Sequence, residues 1–243
     1  MLYMKNELFK KINRYDTIDS TNLEAKRFLK NNVFDSNFVI LAKTQTKGMG
    51  RRHNRWYSPP GGLWCSLVLK EQIFQSNITL FTGIILHKAL RNLLPNSPLK
   101  IKWPNDILWK NKKLAGILTE TSHSSTIIGV GLNLNQTELD SEIAEIATSV
   151  RIETEKIVDK DKFLHTFLDQ FTGQFIHYKE DNLQDFLQYY RENSYLTGKL
   201  CTIETGRESE QGVVQGVDTG GALVIKVDDE KRKIISADTI EIH

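Results

Sequence analysis

From Leu99 to Leu134 the sequence runs "LKIKW", "DILWK", "KLAGILTET" and "TIIGVGLNL", four short strand-like segments divided by turn residues. Segments this short, joined this closely, pair with their neighbours, which predicts a sheet meander and rules out an all-helical fold. Two upstream runs belong to the same pattern. "FVILAK" reads as a buried strand. "GLWCSLVLK" alternates, with Trp64, Ser66 and Val68 on one face and Leu63, Cys65 and Leu67 on the other. Three stretches have helical period instead. "DSTNLEAKRFLKN" carries Thr21 and Glu24 at capping-box spacing, residues 77–94 begin at an asparagine cap, and "DKFLHTFLDQFTGQFIHY" sets Phe163, Phe167, Phe171 and Phe175 on one stripe. That stripe is expected to be core packing. The class is therefore α+β, a mixed and largely antiparallel sheet flanked by helices.

After about residue 197 the texture changes to β-branched runs cut by Gly and Asp, "GKLCTIETG", "EQGVVQGVD", "GGALVIKVD" and "RKIISADTIEI", which predicts a small barrel. The expected division is a main domain over 1–196 and a C-terminal module over 197–243. So short a module has little core of its own and is expected to lean on the main domain. Residues 199–243 carry six basic and nine acidic side chains, which argues against nucleic-acid binding there.

Charge is informative only locally. The chain as a whole has 32 basic and 30 acidic residues, no polycation. Between Asp35 and Glu71, however, there is no carboxylate, while Lys43, Lys47, Arg51, Arg52, Arg55 and Lys70 place six cations in 35 residues. The centre of this stretch, "KTQTKGMGRRHNRWYSPPGG", is too broken by glycine and proline for a helix. It suits a loop whose backbone comes close to an anionic ligand and whose guanidinium groups reach phosphate oxygens. A dinucleotide fingerprint is excluded by His53 and by the absence of a following helix, and no phosphate-loop string occurs. A second basic pair, Lys112 and Lys113, precedes the small-residue run "LAGIL", where a ligand has room.

Ser20-Thr21-Asn22, "QTKGMGRRHNRWYSP", "KWPNDILWKNKKLAGILTE" and "IIGVGLNLN" together resemble, in order and spacing, the motifs of the biotin protein ligase family. That resemblance implies a sheet of the class II aminoacyl-tRNA synthetase and biotin ligase kind, and reads the C-terminal module as an SH3-like barrel. It implies two steps: biotin and Mg-ATP give biotinyl-5′-adenylate and pyrophosphate, and a lysine of a biotin carboxyl carrier protein then takes the biotin and releases AMP. Two anionic groups must be held in contact while charge builds on phosphoryl oxygens, so fixed cations are required. By the resemblance Arg51 and Lys113 are the catalytic pair. Arg51, Arg52, Asn105, Lys113 and Asn133 face the nucleotide. Biotin falls to Ser20, Thr21, Gln45, Gly48, Met49, Arg51, Trp56, Trp64, Ser66, Lys113, Gly116 and Gly129, and Mg²⁺ is carried by ATP phosphates with no protein metal site. The loop is expected to be mobile without ligand and to close over the adenylate.

The sequence departs from the family pattern at Met49, His53 and Asn54, the last removing one phosphate fork, for which Arg55 can substitute. Lipoate protein ligase shares the chemistry but expects arginines followed by several glycines, which "GMGRRHNRW" lacks. An RNA-binding protein would explain the loop but not "KLAGIL" or the acidic module. No room is expected for a DNA-binding domain ahead of "RYDTIDSTN", so no operator binding, and a homodimer remains open. With two cysteines, six histidines without zinc spacing, and charges breaking every apolar run of "MLYMKNELFKKINRYD", the expectation is a cytoplasmic protein with no export signal or membrane span.

Overall fold

The strand β3 (Leu63–Leu69) is buried at every position, which requires a sheet covered on both faces. A computed structural model describes residues 8–243 apart from Phe34, Asn182 and Arg207. The first seven residues, part of the basis for the export reading, lie outside the described residues. Around β3 stand β1 (Lys11–Ile18), β2 (Phe38–Gln45), β4 (Leu99–Lys102), β5 (Asp106–Trp109), β6 (Lys112–Ser122) and β7 (Ser125–Leu132). The seven-stranded order is β1-β2-β3-β7-β6-β5-β4, antiparallel throughout except for the parallel β1/β2 pair. That pair needs a crossover, supplied by helix α1 (Thr21–Lys30).

Each face of the sheet has its own apolar cover. Ala25 and Leu29 of α1 pack on Phe38, Ile40, Val68 and Ile127. On the opposite face Leu63, Cys65, Leu67 and Leu69 join the helices α2 (Gln75–Leu93) and α4 (Lys160–Asp181). The expected alternation along β3 is thus present, as is the phenylalanine stripe: Phe171 meets Phe81 of α2 edge-on at 5.1 Å, and Tyr178 stacks on the same ring at 4.5 Å. Two short helices, α3 (Val150–Thr154) and α5 (Leu187–Asn193), complete the main body. No helix among the described residues is long and apolar enough to cross a membrane.

Two helix starts differ from expectation. The α1 N-cap is Ser20, whose side chain makes no capping bond, and Glu24 accepts from Tyr15 Oη at 2.8 Å instead of closing a capping box. Helix α2 begins at Gln75 after Phe74, so Asn77 lies in its first turn and not at its cap. The amide of Thr21 explains the first difference, because it donates 2.8 Å to Gln45 Oε1 and needs no cap.

The C-terminal strands β8 (Leu200–Thr205), β9 (Glu208–Val217), β10 (Leu223–Val227), β11 (Glu230–Ile234) and β12 (Thr239–Ile242) form one antiparallel sheet, β11-β10-β9-β8-β12. Its outer strands β11 and β12 are not paired with each other, so the sheet is open. The run "RKIISADTIEI" is therefore two strands, and the break between them holds Ala237 and Asp238. Cys201, Ile203, Val214, Leu223 and Ile225 share one apolar cluster with Phe186, Tyr190 and Leu196 of the main body.

Candidate active site

A cavity of about 240 Å³ opens where the end of β2, the N-terminus of α1, Asn105 just before β5, and strands β6 and β7 converge under the cationic loop. The loop is folded as a tight turn. Trp56 N donates to Gly48 O at 2.9 Å, Gly50 N to Asn54 O at 2.7 Å, and a single 3₁₀ turn spans Arg51–His53. Positive φ falls on Arg52 (φ 55°, ψ 38°), a left-handed conformation unusual for a residue with a side chain.

One end of the cavity is cationic. Arg51 donates 3.3 Å to Asn105 Oδ1, and Asn105 is itself fixed by donating 3.0 Å to Ile117 O. Lys113 Nζ pairs with Asp106 Oδ1 at 2.8 Å and lies 5.1 Å from the centre of the Trp56 ring. Burial lowers the Arg51 pKa, helped by repulsion from Arg52 and opposed by attraction from Asp106 and Asp238. A guanidinium remains charged through such a shift, and its loss of hydration is what a phosphate would compensate. Arg52 pairs with Asp238 and donates 2.7 Å to Ala237 O, so the C-terminal sheet reaches into the cavity wall.

The other end is neutral and polar. Gln45 Oε1 faces Thr21 Oγ1 at 3.1 Å, and Gln45 Nε2 donates 2.8 Å to Ser58 Oγ. Ser20 lines the same end, buried at the start of α1. Between the two ends lies Trp56, whose buried Nε1 has no hydrogen-bond partner. The ring rests on Gly131, where a Cβ would come within 2.3 Å of Nε1, so this glycine is required by contact alone.

The residues singled out in the sequence divide by position. Ser20, Thr21, Gln45, Met49, Arg51, Arg52, Trp56, Asn105, Lys113, Gly116 and Gly129 all line the cavity. Ser66 stands one layer behind, fully buried and bonded to Thr21 and Asn22. Trp64 is also fully buried, donating 2.9 Å to Pro59 O and meeting Trp56 edge-on at 6.4 Å. Gly48 packs inside the loop against Trp56 O. Asn133 lines a separate cavity of about 440 Å³, with its amide donating 2.9 Å to Thr148 O. Arg55 borders both cavities and stacks 4.3 Å over Tyr57.

Sequence reasoning quoted Asn22 within a motif without giving it a role, and assigned none to Asp106, Gly131 or Asp238. Gly131 was visible as the second glycine of "GVG", and Asp106 as the acid beside Asn105. Asp238 had no local signal, since only the fold brings it to residue 52. Among the described residues no group of histidine, cysteine and carboxylate side chains has metal-binding geometry. Both carboxylates lining or bordering the cationic end, Asp106 and Asp238, are already paired.

Residues 15–136 match the model of the biotin/lipoate A/B protein ligase family, and residues 197–240 that of the biotin protein ligase C terminal domain. A bifunctional ligase/repressor BirA of Bacillus spizizenii is 30% identical over 92% of this chain and 71% of its own length. A biotin--[acetyl-CoA-carboxylase] ligase of Paracoccus denitrificans is 29% identical over 86% of this chain and 91% of its own. The solved biotin protein ligase from Aquifex aeolicus, in complex with biotin and ATP, superposes with a TM-score of 0.85 at 28% identity, covering 97% of this chain and 99% of that one.

Proposed function

Because the chain belongs to the biotin/lipoate A/B protein ligase family, we propose that it is an ATP-dependent ligase that adenylates biotin and transfers it to a lysine of a biotin carboxyl carrier protein. The observation that carries this reading is a single cavity with Arg51 and Lys113 at one end, Thr21 and Gln45 at the other, and the Trp56 ring between them. That order matches a ligand with an anionic head, an apolar middle and a ureido tail.

In the first step the biotin carboxylate attacks the α-phosphate of ATP and pyrophosphate leaves. Arg51 and Lys113 hold both anions in contact and stabilise the charge on the phosphoryl oxygens, a task worth several kcal/mol in a water-poor site. Asn105 holds Arg51 in place. Thr21, Gln45, Ser20 and, from behind, Ser66 orient the ureido ring; Trp56, backed by Trp64, covers the apolar middle; Met49, Gly116 and Gly129 admit the ligand to close backbone contact, and Gly48 serves biotin indirectly by letting the loop fold against Trp56 O. In the second step the neutral amine of the carrier lysine attacks the acyl carbon and AMP leaves. Arg52 and Asn133 complete the proposed nucleotide contacts, the latter from the neighbouring cavity. Mg²⁺ would arrive on the ATP phosphates, since the cavity carboxylates are occupied by cations and offer it no free ligand set. The division at 196/197 and an SH3-like role for the open C-terminal sheet belong to the same reading, as does action inside the cell.

The test is mass spectrometry of a purified carrier domain incubated with this protein, biotin and Mg-ATP. One added biotinyl mass on one lysine is expected; transfer of lipoate in preference to biotin, or no transfer, would overturn the reading.

A further inference from the structure

Behind the neutral end of the cavity runs a continuous chain of polar contacts. Lys26 Nζ pairs with Glu120 Oε1 at 2.6 Å, and Asn22 Nδ2 donates 2.8 Å to Glu120 Oε2. Asn22 Oδ1 then faces Ser66 Oγ at 2.5 Å, Ser66 Oγ faces Thr21 Oγ1 at 2.7 Å, and Thr21 Oγ1 faces Gln45 Oε1 at 3.1 Å. A Cβ on Gly129 would sit 2.5 Å from Asn22 Oδ1, so the asparagine is also held by close packing.

Both ends of this chain are acceptors, so the three contacts of Ser66 and Thr21 share only two hydroxyl protons. A carboxylate and a backbone carbonyl can only accept, so the Asn22 amide turns its NH₂ to Glu120 at 2.8 Å and, at a longer 3.4 Å, to Leu118 O, and its oxygen to Ser66. Ser66 then spends its one proton on Asn22. Thr21 spends its proton on Ser66 at 2.7 Å, the shorter of its two oxygen contacts. At the far end Gln45 Oε1 is already satisfied by the Thr21 backbone N–H at 2.8 Å, and the Thr21 Oγ1 to Gln45 contact, the longest of the three, carries no proton. Thr21 Oγ1 therefore presents lone pairs to the cavity.

We infer that Glu120 is a positioning residue which, through Asn22 and Ser66, fixes Thr21 Oγ1 as an acceptor and so selects a ligand that offers an N–H at this point. The inference rests on the reading of biotin as substrate, whose ureido ring supplies such an N–H. Glu120 touches no ligand in this scheme. Its carboxylate, the nearer of the two acceptors on the Asn22 amide, acts by disfavouring the alternative orientation of Asn22, and Lys26 is incidental, since a carboxylate accepts with or without its ion pair.

The test is biotin binding by calorimetry at pH 7.5 with purified variants, alongside the KM for ATP. Glu120→Gln, whose amide can donate as well as accept, is expected to weaken biotin binding by about tenfold, the loss of one net hydrogen bond. The KM for ATP and the kcat of pyrophosphate exchange at saturating biotin stay unchanged, and Glu120→Asp restores affinity. Lys26→Met, which removes the ion pair but leaves the carboxylate, is expected to change biotin affinity by no more than about twofold. Ser66→Ala breaks the chain one link further on, is expected to match Glu120→Gln, and decides the matter if the latter fails to fold. Unchanged biotin affinity in folded Glu120→Gln or Ser66→Ala overturns the inference, as does an equal loss in Lys26→Met. Absence of biotin binding by the unmodified protein sinks the underlying reading, and the inference with it.

Discussion

Arg51 and Lys113 come from segments more than sixty positions apart and are brought to one cavity by the β5–β6 hairpin and the loop after β2. Lys113→Ala leaves Asp106 without its cation and removes one of the two charges available to the phosphoryl group. Pyrophosphate exchange is expected to fall by about 10²–10³, the usual cost of losing one transition-state donor, with biotin binding less affected. Gly131→Ala drives a methyl group into the Trp56 ring, so the KM for biotin is expected to rise by about tenfold, measured with a thermal melt as control for folding. These side chains were legible because Thr21, Gln45, Arg51, Trp56 and Lys113 carry their chemistry in recognisable strings. Asp106 was hidden by its place at the start of the strand-like run "DILWK", and Asn22 by its position inside a helix start. A residue that acts by restricting a neighbour's hydrogen bonds leaves no pattern of its own in a sequence.

His87 lies in the middle of α2, fully buried, with Nε2 3.2 Å from Leu99 O and Nδ1 2.8 Å from Tyr189 Oη. Facing a carbonyl, Nε2 must carry the proton, and Nδ1 accepts from the tyrosine. Burial pushes its pKa down to about 4, with Arg91 and Lys100 adding to the shift against the pull of Leu99 O. The folded state holds His87 neutral while the unfolded chain protonates it near 6.5, so its contribution is complete above that value and is lost as pH falls toward 4. Stability is expected to drop by about 2 kcal/mol between pH 7 and pH 5 from this residue alone, checked by urea unfolding of the wild type against His87→Gln. The cationic loop yields a second expectation at this scale. The tip of its turn is tied to the rest of the molecule through Arg51 and Arg52, and fixing about ten such residues costs on the order of 10 kcal/mol. Cleavage after Arg51 and Arg52 by trypsin is expected to slow when biotin and ATP are added; equal rates would count against closure. Among the elements, the four strands of the meander, β4 to β7, and the two upstream strands β2 and β3 were legible from their runs. Strand β1 was not, because Lys11, Arg14 and Asp16 interrupt it: as an edge strand, with a burial pattern of mixed exposed and intermediate positions, it tolerates charges that a central strand would not.

The two sheets are joined by more than chain continuity. Trp103 Nε1 donates 2.9 Å to Gly221 O from a buried position, Ser76 Oγ donates 3.1 Å to Gly220 O, and one apolar cluster runs through both parts. Trp103→Phe leaves the Gly221 carbonyl without its donor and is expected to cost about 1–3 kcal/mol. Denaturant unfolding is expected to remain a single transition, with tryptophan fluorescence and circular dichroism coinciding. The texture change near residue 197 precedes β8 at Leu200, but the lack of pairing between β11 and β12 and the placement of Asp238 against the loop depend on packing across the whole chain. Translation gives that ion pair a temporal meaning. Arg52 is synthesised early and Asp238 near the end of this sequence, so a growing or interrupted polypeptide can own both reactive cations while still lacking the carboxylate that steadies the arginine beside them.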